Sequence, residues 1–183
     1  SSPNNNDGTV TGAKTAGGQF NGAARFDNSD GIVSSGAAPN VIDNMTLVVW
    51  FRPENYINNE FIFGPSSNDG TYNLDLWMVD TGRAKMHYWD GSHVDAYSST
   101  VMQTGNSYSL VGMWDNSVNE ASIYVDGILE NKNAGGDPNQ THLDLNIGIK
   151  NINNLDAANA NGVIDEARFY TELKSDAWIQ ADY

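Results

Sequence analysis

The sequence predicts an all-β fold: two antiparallel sheets packed as a sandwich, with one short C-terminal helix. Three observations carry this. Apolar residues recur at every second position in short runs, Gly, Asn and Asp turn signals separate those runs, and helix-starting chemistry occurs only near the C-terminus.

At 183 residues with 39% apolar content the chain can bury one sizeable core, so one domain is expected over residues 1–183. Nine Lys and Arg against 23 Asp and Glu give a net charge of -14, which opposes binding to nucleic acid or an anionic membrane surface. Cysteine is absent, which excludes disulfides and thiolate zinc sites. No run approaches the roughly 18 apolar residues of a membrane helix, so no membrane insertion is expected. No secretory leader is recognisable; a processed or excised domain would read the same way.

Residues 1–18, SSPNNNDGTVTGAKTAGG, are small and polar and read as a loosely held arm able to add one edge strand. Phe20 to Val33 reads as two short strands flanking the acidic turn Asp27-Asn28-Ser29-Asp30-Gly31. In Met45 to Pro53, Met45, Leu47, Val49 and Phe51 share one face, and Thr46, Val48, Trp50 and Arg52 share the other. Pro53 ends that strand. Phe61 to Gly64 is a short buried strand. Tyr72 to Val79 and Ala84 to Trp89 alternate around a turn at Thr81-Gly82 and read as a hairpin. Tyr108 to Trp114 and Ala121 to Val125 follow, the second ending at the turn pair Asp126-Gly127. Leu143 to Ile149 places alternate apolar residues on the core. At the end, Ser175 suits a helix N-cap, Asp176 the first turn, and Trp178, Ile179 and Tyr183 can pack back onto the sandwich.

The hairpin makes the first candidate site. Its outward face carries Asn73, Asp75, Trp77, Lys85, His87 and Trp89. Indole faces stack on sugar C–H patches while acid, ammonium and imidazole read hydroxyls, so Asp75, Trp77, Lys85, His87 and Trp89 are the expected ligand-binding residues. The opposing possibility is that a loop or sheet edge covers these tryptophans.

The second candidate lies in NGVIDEARFY, Asn161 to Tyr170. Strict alternation puts Asp165 on one face with Val163, Ala167 and Phe169, where an unpaired carboxylate is costly. Either the strand bulges and turns the acid out, or hydrogen-bond donors or a cation meet it. Asp27 or Asp30 could share such a cation, although turn chemistry alone also accounts for those two acids.

The ordered set FNGAARFDNSDGIV, MTLVVWFRP, YSLVGMWDNSVNEASIYVDG, LDLNIGI and GVIDEARFY, closed by a short helix, resembles the bacterial laminin-G-like jelly rolls of the concanavalin A-like lectin and glucanase superfamily. The resemblance implies two curved antiparallel sheets, a calcium ion, and service as a binding or adhesion module in a larger secreted or surface protein. It implies calcium ligands either at Asp27 or Asp30 with Asp165, or at the sandwich rim near Asp69 and Asp156. The family's glucanases present carboxylates on alternate residues of one strand; Asp165 and Glu166 are adjacent and would point to opposite faces. No lyase-type Arg, Gln-x-His and Tyr strands occur. The expectation is therefore a non-catalytic, calcium-containing carbohydrate-binding module, secreted or at the cell surface, whose partner is a glycan. The alternatives are an adhesive or spacer domain that binds a surface protein, and a polysaccharide lyase or hydrolase.

Overall fold

The computed structural model describes residues 8–20, 22–34, 44–56, 59–66, 74–79, 81–138, 144–150 and 158–183. Among these, fourteen strands form two seven-stranded antiparallel sheets. The front sheet runs, in spatial order, β1 (Thr9–Thr11), β4 (Gly31–Ser34), β13 (Asp144–Ile147), β6 (Glu60–Ser66), β7 (Leu74–Met78), β8 (Arg83–Trp89) and β9 (His93–Val101). The back sheet runs β12 (Ile128–Ala134), β11 (Glu120–Val125), β10 (Tyr108–Asp115), β5 (Met45–Pro53), β14 (Asn161–Tyr170), β3 (Gly22–Asp27) and β2 (Lys14–Gly17). The helix α1 spans Asp176–Asp182. Among the described residues no helix is long and apolar enough to cross a membrane.

Alternation decides which side chains meet between the sheets. Met45, Leu47, Val49 and Phe51 from β5 face Leu74, Leu76 and Met78 from β7, and Met86 and Tyr88 from β8, in one buried cluster. The layers approach closely at Gly112. A Cβ there would lie 2.6 Å from Met86 Sδ and 2.8 Å from Leu76 Cδ2, so a larger residue would have to displace both side chains.

A second, smaller cluster forms on the back of the back sheet. Val48, Val111, Met113 and Tyr124 turn outward and are covered by Ile179 of α1. Ser175 caps the helix by accepting from Trp178 N–H at 3.2 Å, and the Tyr124 hydroxyl donates to Asp176 Oδ1 at 2.8 Å. Tyr183 stacks on Trp50, with centroids 5.9 Å apart and planes 16° apart.

Three features differ from the sequence expectation. The arm contributes two edge strands, β1 to the front sheet and β2 to the back. The acidic turn links different sheets, since β3 pairs with β14 while β4 pairs with β13 and β1. Two strands were unanticipated: β9, whose inward residues are only Val94, Ala96 and Ser98, and β12, which is largely exposed. These two edges close one flank of the sandwich. Glu130 of β12 accepts from Ser99 N–H at 2.8 Å and Thr100 N–H at 2.9 Å, blunting the edge of β9.

Candidate functional site

The outer face of the front sheet assembles from cross-strand register. Asp75 lies opposite His87, which lies opposite Asp95; Trp77 lies opposite Lys85, which lies opposite Tyr97; Trp89 lies opposite His93. Strand alternation points all eight away from the core. The five expected residues are thus on one face, joined by His93, Asp95 and Tyr97. These three belong to β9, whose HVDAYSST alternation was the available signal; its small and hydroxyl-bearing inward side concealed it.

The face is denser and less open than an exposed groove. Asp75 is fully buried, Trp77 is 6% exposed and His87 is 3% exposed. Lys150 Nζ stands 5.1 Å and Lys85 Nζ 5.6 Å from the Trp77 ring centroid, and Phe61 meets that ring edge-on at 5.6 Å. The expectation of an open indole at Trp77 is corrected: cationic side chains and a neighbouring aromatic enclose it. Trp89 is half-buried, and His93 and Tyr97 are exposed.

Asp95 is the hub. Its Oδ1 accepts from His87 Nδ1–H at 2.6 Å, because an ionised carboxylate can only accept. Its Oδ2 takes Lys85 Nζ at 3.1 Å and the Tyr97 hydroxyl at 2.7 Å. Burial pushes the Asp95 carboxyl up, but the hydrogen bonds from His87 and Tyr97 and the charge of Lys85 outweigh it and hold it well below the usual range. The Tyr97 phenol is pushed up to about 12 by burial and by Asp95.

Asp75 is the opposite case. Trp77 Nε1–H donates to its Oδ1, and Oδ2 has no partner among the described residues. Burial raises this carboxyl to about 6, against the pull of His87, Trp77, Lys150 and Lys85. Two strand spacings, about 10 Å, separate the backbones of Asp75 and Asp95, and the roughly 5 Å of a retaining glycosidase pair is much shorter. The His87 ring stands between them.

The acids of the second candidate do not converge. Asn161 pairs with Asp27, so Asp165 lies four residues further along β14, about 13 Å away. Its oxygens are already occupied: Oδ2 accepts Phe20 N–H at 3.0 Å and Oδ1 accepts Glu166 N–H at 2.9 Å. The strand also bulges between Asp165 and Arg168, with Glu166 at φ 50°. Gly18 permits the Phe20 contact, since a Cβ there would fall 2.2 Å from Asp165 Oδ2.

In the acidic turn, Ser29 Oγ donates to Asp27 Oδ1 at 2.8 Å and Asp30 Oδ2 accepts Asp27 N–H at 3.3 Å. Burial, then the charge of Asp27, raises Asp30; the Ser29 hydrogen bond chiefly lowers Asp27. Among the described residues no three acid or imidazole side chains are grouped to hold a metal, whereas calcium takes six to eight oxygens. The expected sharing of a cation by Asp27 or Asp30 with Asp165 therefore does not fit the described residues. Asp69 and Asp156 lie outside the described residues.

Two facing antiparallel sheets, one bearing aromatic and polar residues outward, define a jelly roll of the lectin and glucanase class. The chain belongs to the concanavalin A-like lectin/glucanases superfamily, its Laminin_G_3 family model matching residues 26–180. Among solved structures it is similar to domain 4 of AbnA, a GH43 extracellular arabinanase from Geobacillus stearothermophilus, in complex with arabinotriose: TM-score 0.78 and 18% identity, covering 98% of this chain and 90% of that one. It is also similar to the native heptameric SAP-like pentraxin of Limulus polyphemus, with TM-score 0.62 and 12% identity, covering 85% and 82%. A third is the Trypanosoma rangeli sialidase in complex with sialic acid, with TM-score 0.72 and 14% identity, covering 94% of this chain but 28% of that one. No curated protein sequence matches the chain.

Proposed function

We propose that the domain is a non-catalytic carbohydrate-binding module of a larger secreted or surface protein, and that the outer face of the front sheet is its sugar site. The carrying observation is the cross-strand grid of Asp75, Trp77, Lys85, His87, Trp89, His93, Asp95 and Tyr97. The arabinotriose complex of the similar arabinanase domain supports the reading in kind. Trp89 and Tyr97 offer the reachable rings, Lys85 and Asp95 the polar groups, and Trp77 braces the floor through Asp75.

Trp89→Ala is expected to weaken glycan binding by about 2 kcal/mol, roughly thirtyfold in Kd, as for a central aromatic anchor. Isothermal titration against a glycan selected on an array measures this; unchanged affinity removes Trp89 from the site. The enclosure of Trp77 favours the second reading, a spacer or protein-binding domain, under which no sugar binds even at millimolar concentration.

Calcium is a separate proposal. Chelator is expected to lower the melting midpoint and added calcium to restore it. Asp27→Asn should leave that response in place, because its carboxylate is already engaged by Ser29 Oγ in its own turn and by Lys14 Nζ from β2. An unchanged midpoint with chelator removes the metal.

A further inference from the structure

His87 and His93 are diagonal neighbours on adjacent antiparallel strands, since His87 lies opposite Asp95 and His93 lies opposite Trp89. Their ring centroids are 5.1 Å apart and their planes are inclined at 38°. That separation is chemically informative. An ion held at the usual zinc-to-nitrogen distance of about 2 Å lies about 3 Å from the centre of each imidazole, and a tetrahedral angle then sets the two centres about 5 Å apart.

The nitrogens needed for such a site are available. His87 Nδ1–H gives to the ionised Asp95 Oδ1 at 2.6 Å, so in the neutral ring Nε2 carries the lone pair. A carboxylate behind an imidazole is the arrangement that orients metal-binding histidines and raises their basicity. His87 Nε2 has no hydrogen-bond partner among the described residues and is not one of their fully enclosed unpartnered atoms, so solvent reaches it. Neither ring nitrogen of His93 has a hydrogen-bond partner among the described residues, and His93 is exposed. Trp89 meets the His93 ring edge-on at 4.8 Å, and Trp77 meets the His87 ring edge-on at 6.4 Å, which limits how far either imidazole turns.

We propose that His87 Nε2 and a ring nitrogen of His93 form a site for an exchangeable divalent transition-metal ion of the zinc class, with water completing its coordination. This goes beyond the glycan reading and does not depend on it. Imidazole suits zinc, copper and nickel, whereas calcium takes oxygen ligands, so the site is also separate from the calcium proposal. Two protein ligands are fewer than the three or four of resident zinc sites, so the ion exchanges with solvent. The charges nearby are mixed. Asp75 and Asp95 flank His87 and favour a cation, Lys85 opposes it but is held by Asp95 at 3.1 Å, and Lys150 opposes it from 5.1 Å above the Trp77 ring.

The test is titration calorimetry of the whole domain with zinc chloride at neutral pH, alone and in excess calcium. One zinc per chain should bind, and calcium should not displace it. His93→Asn, at an exposed position where folding is not at stake, should weaken zinc binding by about tenfold or more, whereas His142→Asn, which removes the third histidine, should leave it unchanged. Nitrogen NMR of the imidazoles should show zinc shifting His87 Nε2 and one nitrogen of His93 together while His87 Nδ1 keeps its proton. Absence of zinc binding at millimolar concentration, equal affinity in the His93→Asn variant, or displacement by calcium overturns the site and leaves the glycan module standing.

Discussion

Asp75→Asn is expected to stabilise the protein by about 2 kcal/mol at pH 8, raising the midpoint by roughly 4–8 °C for a chain of this size. The wild-type carboxyl is fully buried and raised from 3.8 to about 6, and at about 1.4 kcal/mol per pH unit that shift is an ionisation penalty of about 3 kcal/mol. Asparagine keeps an Oδ1 acceptor for Trp77 Nε1–H and removes the charge, while its buried NH2 takes back part of the gain. The sign follows from proton binding. The folded state holds this proton more tightly than the unfolded chain, so the linked stability is full below pH 4, fades as pH rises through about 6, and is flat above. Thermal melts of both proteins from pH 4 to pH 8 should therefore diverge upward with pH. Parallel curves would show that Asp75 is not an uncompensated buried acid.

Asp95→Ala should act in the opposite direction, costing about 3–5 kcal/mol, because it strands buried partners that share one acceptor group. The side chains of Lys85 and His87 are only 12% and 4% exposed, and with the Tyr97 hydroxyl they would lose a carboxylate that the sheet provides at 2.6–3.1 Å. Urea unfolding at neutral pH measures the loss; a change below about 1 kcal/mol, the range of a surface pair, would sink the hub assignment. The carboxyl of Asp95 is held low, so its contribution is complete above the unfolded value near 4 and is lost only as pH falls below it. Between pH 4 and pH 8 the two acids thus separate cleanly, one titrating and one constant. Two carboxylates on the same face, two strands apart, are set apart by how many donors each one meets.

That difference was not legible in the sequence. Alternation in MTLVVWFRP and around the Thr81-Gly82 turn is strong enough to place β5, β7 and β8 and to assign faces, because apolar residues, all but Ala84 large, occupy every inward position. The same reasoning failed for β9, where Ala96 and Ser98 fill the inward positions next to a closed flank, and Asp95 and Tyr97 were missed with it. The enclosure of Trp77 depends on Lys150, far away in sequence and brought close only by the pairing of β13 with β6. At Asp165 both alternatives operate at once: a bulge at Glu166, and backbone donors from Glu166 itself and from Phe20, just beyond the arm. Only the assembled sheet shows the second, since it joins residues 145 apart.

The short opening segment hems both layers at once: Thr9–Thr11 borders one and Lys14–Gly17 the other, with Gly12 at the crossing. A single nick there would release Thr9–Thr11 from its layer and leave Gly31–Ser34 presenting bare amides and carbonyls to a neighbouring copy, while Lys14–Gly17 stays joined to Gly22–Asp27. The flank sealed by Glu130 has no such weakness, so self-association of damaged molecules should begin at the opposite flank, where Thr9–Thr11 forms the border.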